Sequence, residues 1–454
     1  MTSPQLSLAV NGREAQLHSK LISFRPAGRG GDGQLAGTWS AAIVGLGYVG
    51  LPTALGLHGR CQRIIGIDVS EDRLAAIDAR EADLAEADRP RLEAALADGT
   101  LELTSKLAAM TDADAVIICV PTPVDDAQVP DLTALRAACA DVVSHARPGQ
   151  TIILTSTTYP GTTRELLTEP LAARGLAAGT DVFVAFSPER IDPGNPDHVQ
   201  RETPRVAGGA TAECAARAAW VLGHLTDEVF LVSSPDAAEA TKLYENIFRA
   251  VSLALANEFA DACRTLALDP IEVTLAAGTK PYGFLGVFPG PGVGGHCIPC
   301  DPHYLLWQLA KAGQGSPLIE QAMRSIGLRP GQVIERAAEV LGGQALDLSS
   351  ASVIVVGASY KAGVRDLRES PALPLIAGLA AAGADVSYYD PLVPVLALPT
   401  GSVMASVASP RGADFDLAIV HTVHPGADYS WVPDCPAVLD ATYRFEDAPH
   451  RTLV

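Results

Sequence analysis

Cys297 lies in the run Pro289-Gly290-Pro291-Gly292-Val293-Gly294-Gly295-His296-Cys297-Ile298-Pro299-Cys300-Asp301, a thiol inside a glycine-rich loop with a carboxylate four residues on. Glycines lacking Cβ let backbone approach a ligand closely, and the prolines stiffen the approach. A thiolate attacks carbon far better than a hydroxyl does, and Asp301 is spaced to orient water or a proton. The same residues support other chemistry: a small buried apolar cysteine, a Cys297–Cys300 redox pair whose reversible disulfide would block the nucleophile, or a metal site from His296, Cys297, Cys300 and His303.

A second group is Glu239-Ala240-Thr241-Lys242-Leu243-Tyr244-Glu245-Asn246. Lys242 and Asn246 are four apart and share one helix face, which Glu239 and Arg249 flank. An ammonium group there can hold an alkoxide or carbonyl oxygen, and an amide can position water or sugar hydroxyls. A solvated salt-bridging lysine is the ordinary alternative.

A third is Ile43-Val44-Gly45-Leu46-Gly47-Tyr48-Val49-Gly50, which follows a β-branched run and precedes the apolar helix 51–57. Gly45 makes the turn, Gly47 admits a pyrophosphate, Gly50 lets helix pack on strand, and the helix N-terminus faces the anion. Asp68 stands at the end of the next strand, spaced for the adenosine ribose hydroxyls. A carboxylate there favours NAD over NADP. Its alternative is to cap the helix that starts near Ser70. Pro121 and Thr122, and further on Thr157, lie on turns at the carboxyl ends of later strands, where ligands bind in such sheets.

The elements that must position these groups follow from periodicity. Strands are expected at 41–44, 63–68, 114–120, 151–155, 181–185 and 229–232, followed by a helical stretch over 234–268, one helix or two joined. A second alternating series gives strands at 352–356, 385–389, 416–421 and 437–440 without a dinucleotide fingerprint. Its turn Gly357-Ala358-Ser359-Tyr360-Lys361-Ala362-Gly363 suits a uracil and a diphosphate. The pattern is that of an α/β protein with two Rossmann-like open sheets joined by a long central helical region. Expected divisions are a flexible extension over 1–38, an NAD-binding domain over 39–233, a central helical region with the cysteine loop over 234–345, and a nucleotide-binding domain over 346–454.

Composition bounds the partners. The chain has 454 residues, 48% hydrophobic content and a formal net charge of -19, which argues against a nucleic-acid surface. Eight cysteines without repeating spacing do not form a disulfide framework, and the N-terminus carries Arg13, Glu14, Lys20 and Arg25 where a signal peptide needs an apolar core. A cytoplasmic protein without membrane segments is expected.

Taken together, the motifs resemble the nucleotide-sugar 6-dehydrogenases of the UDP-glucose/GDP-mannose dehydrogenase family. The resemblance runs from about 41 to 440 and rests on Gly-Leu-Gly-Tyr-Val-Gly-Leu-Pro at 45–52, Phe-Ser-Pro-Glu-Arg at 186–190, Lys242 with Asn246, Gly-Gly-His-Cys at 294–297 with Asp301, Tyr360-Lys361, and Asp-Leu-Arg-Glu-Ser-Pro at 366–371. It implies Cys297 as nucleophile, Lys242 and Asp301 in oxyanion and water chemistry, and Glu189 and Thr157 around the hydrolytic water. It further implies NAD contacts from Gly45, Gly47, Tyr48, Val49, Gly50, Asp68, Arg73, Pro121, Thr122, Thr157 and Arg368. Substrate contacts are implied for Glu189, Arg190, Lys242, Asn246, Arg249, Tyr282, Phe288, Gly294, Tyr360 and Lys361. A UDP-sugar substrate, a homodimer through the long helices and no metal complete the expectation.

Phe186 to Asn195 and the Pro281-Tyr282-Gly283-Phe284 stretch look like the UDP-N-acetylglucosamine branch. The UDP-glucose branch has Arg near Pro281, and proline leaves room for an acetamido group. UDP-N-acetylmannosamine and UDP-glucose are the alternatives, followed by a single-step hydroxyacid-type dehydrogenase and a non-catalytic nucleotide-sugar binder. The chain departs from the family at Arg365, where an acid is common, and near Ile326 and Arg329, where Asn and Met are common.

Overall fold

The computed structural model describes residues 23–24, 39–84, 88–125, 127–190, 201–448 and 450–454. The expected N-terminal extension lies outside the described residues apart from 23–24. Two compact units are present. One holds the described residues from 23 to 245 with His303–Gln308, and the other holds Asn246–Pro302 and Leu309–Val454.

The first unit is built on a nine-stranded sheet. Its order is Ser23–Phe24, Val229–Val232, Arg205–Gly209, Phe183–Phe186, Thr151–Leu154, Ala115–Ile118, Ser40–Val44, Arg63–Ile67, Leu101–Thr104. Six strands were expected; Ser23–Phe24, Leu101–Thr104 and Arg205–Gly209 are additional. Leu101–Thr104 is a four-residue edge strand exposed on one side, too short to show a period. Arg205–Gly209 opens on a charge and closes on two glycines, so composition hides a strand that is buried throughout. Ser40–Val44 lies between Arg63–Ile67 and Ala115–Ile118, parallel to both, so the chain leaves it toward opposite sides. That reversal opens a crevice at the carboxyl ends of these strands.

The helix Gly50–Leu57 buries Leu51, Ala54, Leu55 and Leu57 against this sheet. Each such leucine contributes roughly 1.5–3 kcal/mol relative to exposure. The stretch expected over 234–268 is a single helix, Pro235–Thr265, of 31 residues. Its length follows from an Ala-rich sequence with no internal Gly or Pro.

The second unit carries a five-stranded sheet in the order Asp385–Tyr389, Ser352–Val356, Leu417–Val420, Ala437–Asp440, Arg451–Leu453, parallel throughout. The last strand was not anticipated, because three residues at a sheet edge carry no periodic signal. Its first turn repeats the geometry of the first unit. Gly357 N donates to Tyr389 O at 2.7 Å, as Gly45 N does to Ile67 O at 2.8 Å, and Ala358 N donates to Asp390 as Leu46 N does to Asp68.

The two acids differ in their surroundings. Asp390 is 1% exposed and accepts from Ala358 N, Ser359 N, the Ser359 hydroxyl, Leu392 N, Val393 N and His424 Nε2. His424 Nδ1 accepts from Gly363 N, which places the ring proton on Nε2, toward Asp390. Burial alone opposes ionisation of Asp390, but the His424 bond and the amides of Ala358 and Ser359 outweigh it and hold the carboxyl well below its ordinary range. A depressed folded value means that this stability is present above the unfolded value of about 3.9 and is lost as pH falls toward the folded one. We therefore expect Asp390→Asn to lower unfolding free energy by about 3 kcal/mol at neutral pH, with the gap narrowing in denaturant melts taken below about pH 4.

Candidate active site

In the first unit the glycine turn leaves no room for side chains at one position and open space at another. A Cβ at residue 50 would sit 1.8 Å from Gly45 O, whereas a Cβ at residue 47 would meet no protein atom within 4 Å. The open side of the turn is where a pyrophosphate fits against the N-terminus of Gly50–Leu57, whose N-cap is Val49. Asp68 accepts Leu46 N at 2.8 Å and Ser70 N at 3.0 Å and stays half-exposed. Ser70, not Asp68, caps the helix Glu71–Asp78, by accepting Arg73 N. The acid thus keeps part of its surface open to solvent.

Arg73 Nε holds Leu46 O at 2.9 Å, and the exposed Tyr48 donates to Asp83 at 2.9 Å. Pro121 is exposed. Thr122 is buried, its carbonyl accepting from Tyr304 at 3.1 Å. Thr157 is half-buried beside Ser156, which donates to Val120 O at 2.7 Å.

The same unit holds Lys242 and Glu189. Lys242 Nζ donates to the Glu189 carbonyl at 2.9 Å. The Glu189 carboxylate accepts Arg190 N at 2.8 Å and Arg205 Nη2 at 2.6 Å. Arg190 in turn pairs with Glu245 at 2.7 Å and donates to Pro204 O. Sequence reading missed Arg205, whose side chain is 2% exposed. The antiparallel register Ala185↔Gly209, continued outward, sets it opposite Glu189, and register is not legible in composition. Glu239 does not face the Lys242 surface. It is fully buried and accepts Gly161 N, Thr163 N and the Thr163 hydroxyl, and burial pushes its carboxyl up. The part of the Phe186-to-Asn195 stretch beyond Arg190 lies outside the described residues.

The second unit holds the cysteine. Cys297 was expected within a loop; it is the first residue of the helix Cys297–Lys311. Pro299 and Pro302 mask this start; Pro299 falls in the first turn, where amides lack partners anyway, while Pro302 stands inside the helix and removes one helical N–H. Cys297 is exposed, while the other seven cysteines are buried. Burial pushes the Cys61, Cys119, Cys139 and Cys435 thiols up to about 12. Cys300, one helical turn on, is 3% exposed. Side chains three apart on a helix have Cβ atoms about 5–6 Å apart, against about 3.5–4.5 Å in a disulfide, so joining Cys297 to Cys300 requires that turn to deform.

Asp301, 1% exposed, accepts Asn246 Nδ2 at 2.5 Å, and Asn246 Oδ1 accepts Arg249 at 3.3 Å. The glycines before Cys297 are pressed onto the nucleotide loop. A Cβ at residue 294 would come within 2.6 Å of Tyr360 Cβ, one at 295 within 2.8 Å of its ring, and Gly295 N donates to Arg368 O at 2.9 Å. Arg368 grips Asp366 at 2.7 Å, and Lys361 is half-buried. Tyr282 is exposed with Lys280 over its ring at 4.8 Å, and half-buried Phe288 has Arg444 at 5.4 Å. Among the described residues no group of three His, Cys, Asp or Glu side chains is placed to hold a metal.

Two Rossmann-type units, a glycine turn with its acid and an exposed cysteine define a dehydrogenase built for a nucleotide-linked substrate. Comparison with known proteins agrees. The chain matches the UDP-glucose/GDP-mannose dehydrogenase family's NAD binding domain over residues 40–226, its central domain over 236–325 and its UDP binding domain over 354–443. Protein CapL of Staphylococcus aureus is 35% identical over 351 residues, covering 77% of this chain and 81% of that one. The UDP-N-acetyl-D-glucosamine 6-dehydrogenase of Pseudomonas aeruginosa is 31% identical over 385 residues, covering 84% and 90%. Among solved structures, the UDP-D-ManNAc dehydrogenase of Pyrococcus horikoshii superposes with a TM-score of 0.82 at 29% identity, covering 91% of this chain and 98% of that one. The chain belongs to the UDP-glucose/GDP-mannose dehydrogenase family. It is an NAD-dependent nucleotide-sugar dehydrogenase. No helix among the described residues is long and apolar enough to cross a membrane.

The glycine turn separates two effects. Gly47→Ala should leave the melting temperature within about 2 °C and weaken NAD at least about tenfold, because its methyl enters the pyrophosphate space. Gly50→Ala should lower both melting temperature and NAD affinity, since the helix must move off the strand. Calorimetric titration with NAD and thermal melts read the difference.

Proposed function

We propose that the chain oxidises carbon 6 of UDP-N-acetylglucosamine to the uronic acid in two steps, with Cys297 as covalent catalyst. The observation that carries this reading is the placement of the one exposed thiol among eight, at a helix N-terminus that favours negative charge and one turn before the buried Asp301–Asn246 pair. NAD, when bound, accepts hydride. The remaining steps belong to the protein's side chains.

After the alcohol is oxidised, the Cys297 thiolate adds to the aldehyde carbon, forming a C–S bond and a thiohemiacetal, so the aldehyde is held. Loss of a second hydride from that carbon leaves a thioester. Water then adds to the carbonyl, the C–S bond breaks, the thiolate departs and the acid is released. The sum is one alcohol, two NAD and one water giving one acid and two NADH. Lys242 supplies positive charge to the oxygen as tetrahedral species form, and Asp301 and Asn246 orient the sugar and its protons. Glu189, with both oxygens already engaged, serves with Thr157 to hold water in place. Arg190, Arg249, Tyr282, Phe288, Gly294, Tyr360 and Lys361 are assigned to the UDP-sugar, and Arg368 to the NAD phosphates.

Two features favour an N-acetylated sugar: Pro281 in place of a cation, and relatives whose names carry N-acetylhexosamines. The manno epimer is the second reading, favoured by the name of the Pyrococcus neighbour. Tyr244, Phe248, Leu255 and Phe259 are exposed at spacings of four, seven and four along Pro235–Thr265, which supports a homodimer through that face.

The test is a panel of UDP-N-acetylglucosamine, UDP-N-acetylmannosamine and UDP-glucose monitored by NADH and by mass detection of the acid. We expect close to two NADH per UDP-N-acetylglucosamine and the highest kcat/KM with that sugar. One NADH per sugar would indicate simple alcohol oxidation. Binding without NADH would indicate a non-catalytic protein, and preference for the manno sugar would move the substrate to its epimer. Cys297→Ser should lose acid formation by on the order of a thousandfold while keeping its fold.

A further inference from the structure

Arg329 is fully buried in the helix Pro317–Gly342, and almost every donor of its guanidinium is used. Nε donates to Gly290 O at 3.1 Å. Nη1 donates to both oxygens of Asp261, at 2.9 and 3.1 Å, and to Gln332 at 3.2 Å. Nη2 donates to the Tyr443 hydroxyl at 3.0 Å. The Tyr443 hydroxyl donates to Val454 O at 2.6 Å, so its oxygen is left to accept from the arginine. The backbone of Tyr443 is held at φ 60°, a conformation unfavourable for an aromatic residue that the surrounding structure must enforce.

The Gly290 peptide is also fixed from its other side. Its N–H donates at 2.9 Å to Asn257, which is 7% exposed and one helical turn before Asp261. Gly290 is therefore clamped through both its N–H and its C=O by side chains from two helices. Five residues on, Gly295 is clamped by Arg368 O and the Tyr360 ring, and Cys297 begins its helix two residues later.

Stability alone does not account for this arrangement. A buried guanidinium has a large desolvation cost, and apolar residues of similar volume commonly replace buried ion pairs without loss. What an apolar side chain cannot do is hold the Gly290 carbonyl, Asp261 and Tyr443 in one plane. A lysine, with its donors on a single point, cannot do so either.

We propose that Arg329 is a positioning residue for the oxidation. It fixes the Gly290 peptide together with Asn257, thereby sets the path of residues 289–295, and so aims the helix start that presents Cys297. The inference rests on the reading of Cys297 as nucleophile.

The test compares full-length Arg329→Met, Arg329→Lys, Asn257→Ala and the double variant Arg329→Met/Asn257→Ala with the parent. The readouts are kcat, KM for NAD, melting temperature, and the rate of Cys297 labelling by iodoacetamide across pH. Each single variant is expected to lower kcat by between about tenfold and a hundredfold, with KM for NAD within about twofold and a displaced labelling profile. The double variant should be no worse than the weaker single, because both act on one peptide. Should Arg329→Met fail to fold, Asn257→Ala carries the test, since it removes only the acceptor for the Gly290 N–H. Variants that melt lower yet keep the parental kcat and labelling profile overturn the proposal, and so does additivity in the double variant. Acid formation at the parental rate by Cys297→Ser would instead overturn the nucleophile reading on which the proposal stands.

Discussion

The hydrogen bond between Asn246 and Asp301 fixes the geometry of the cysteine-bearing unit. Both side chains are 1% exposed, and the 2.5 Å contact joins the long helix Pro235–Thr265 to the helix that starts at Cys297. A carboxylate so deeply buried needs a donor, and an amide whose oxygen is engaged by Arg249 has its nitrogen side turned toward Asp301. The two helices are thereby held in one register. The exposed thiol stands one turn from that bond, and the glycines before it pack too closely on Tyr360 to admit any side chain.

The two sheets show one turn used in two ways. After the first strand of each, a glycine amide closes on the neighbouring strand and the next amide meets an acid. Asp68 keeps a half-exposed face and suits a ribose. Asp390 is enclosed by six donors, among them His424, and holds its loop rather than a ligand. The same backbone geometry therefore provides a dinucleotide site in one unit and, in the other, a rigid platform beneath Tyr360 and Lys361. The absence of a second fingerprint in the sequence has a structural counterpart in the burial of that acid.

Much of this was legible before any coordinates. The fingerprint, its acid, five of the six first-series strands to within two residues of each end, the sixth, Val229–Val232, at both ends, and the long helix all follow from period and turn chemistry, because they are local properties. Other features were not legible. Leu101–Thr104 and Arg451–Leu453 are too short to carry a period. The helix start at Cys297 is hidden by prolines that mark a turn in most contexts; here Pro299 falls in the first helical turn and Pro302 stands inside the helix. The burial of Arg205 and Arg329 has no signal in the sequence, since only the fold brings Glu189 to one and Gly290, Asp261 and Tyr443 to the other. Glu239 belongs with them: its spacing suggested a place flanking the Lys242–Asn246 face, and its partners proved to be two backbone amides and a hydroxyl distant in sequence.

If Cys297 is both the accessible thiol and the nucleophile, burial of the other seven cysteines makes that role directly measurable. Native enzyme treated with iodoacetamide should incorporate one label per chain, at Cys297 by peptide mass, and lose acid formation in proportion to that label, with UDP-sugar protecting both. Enzyme fully alkylated at Cys297 that still forms the acid at the untreated rate would contradict a nucleophilic role for this thiol.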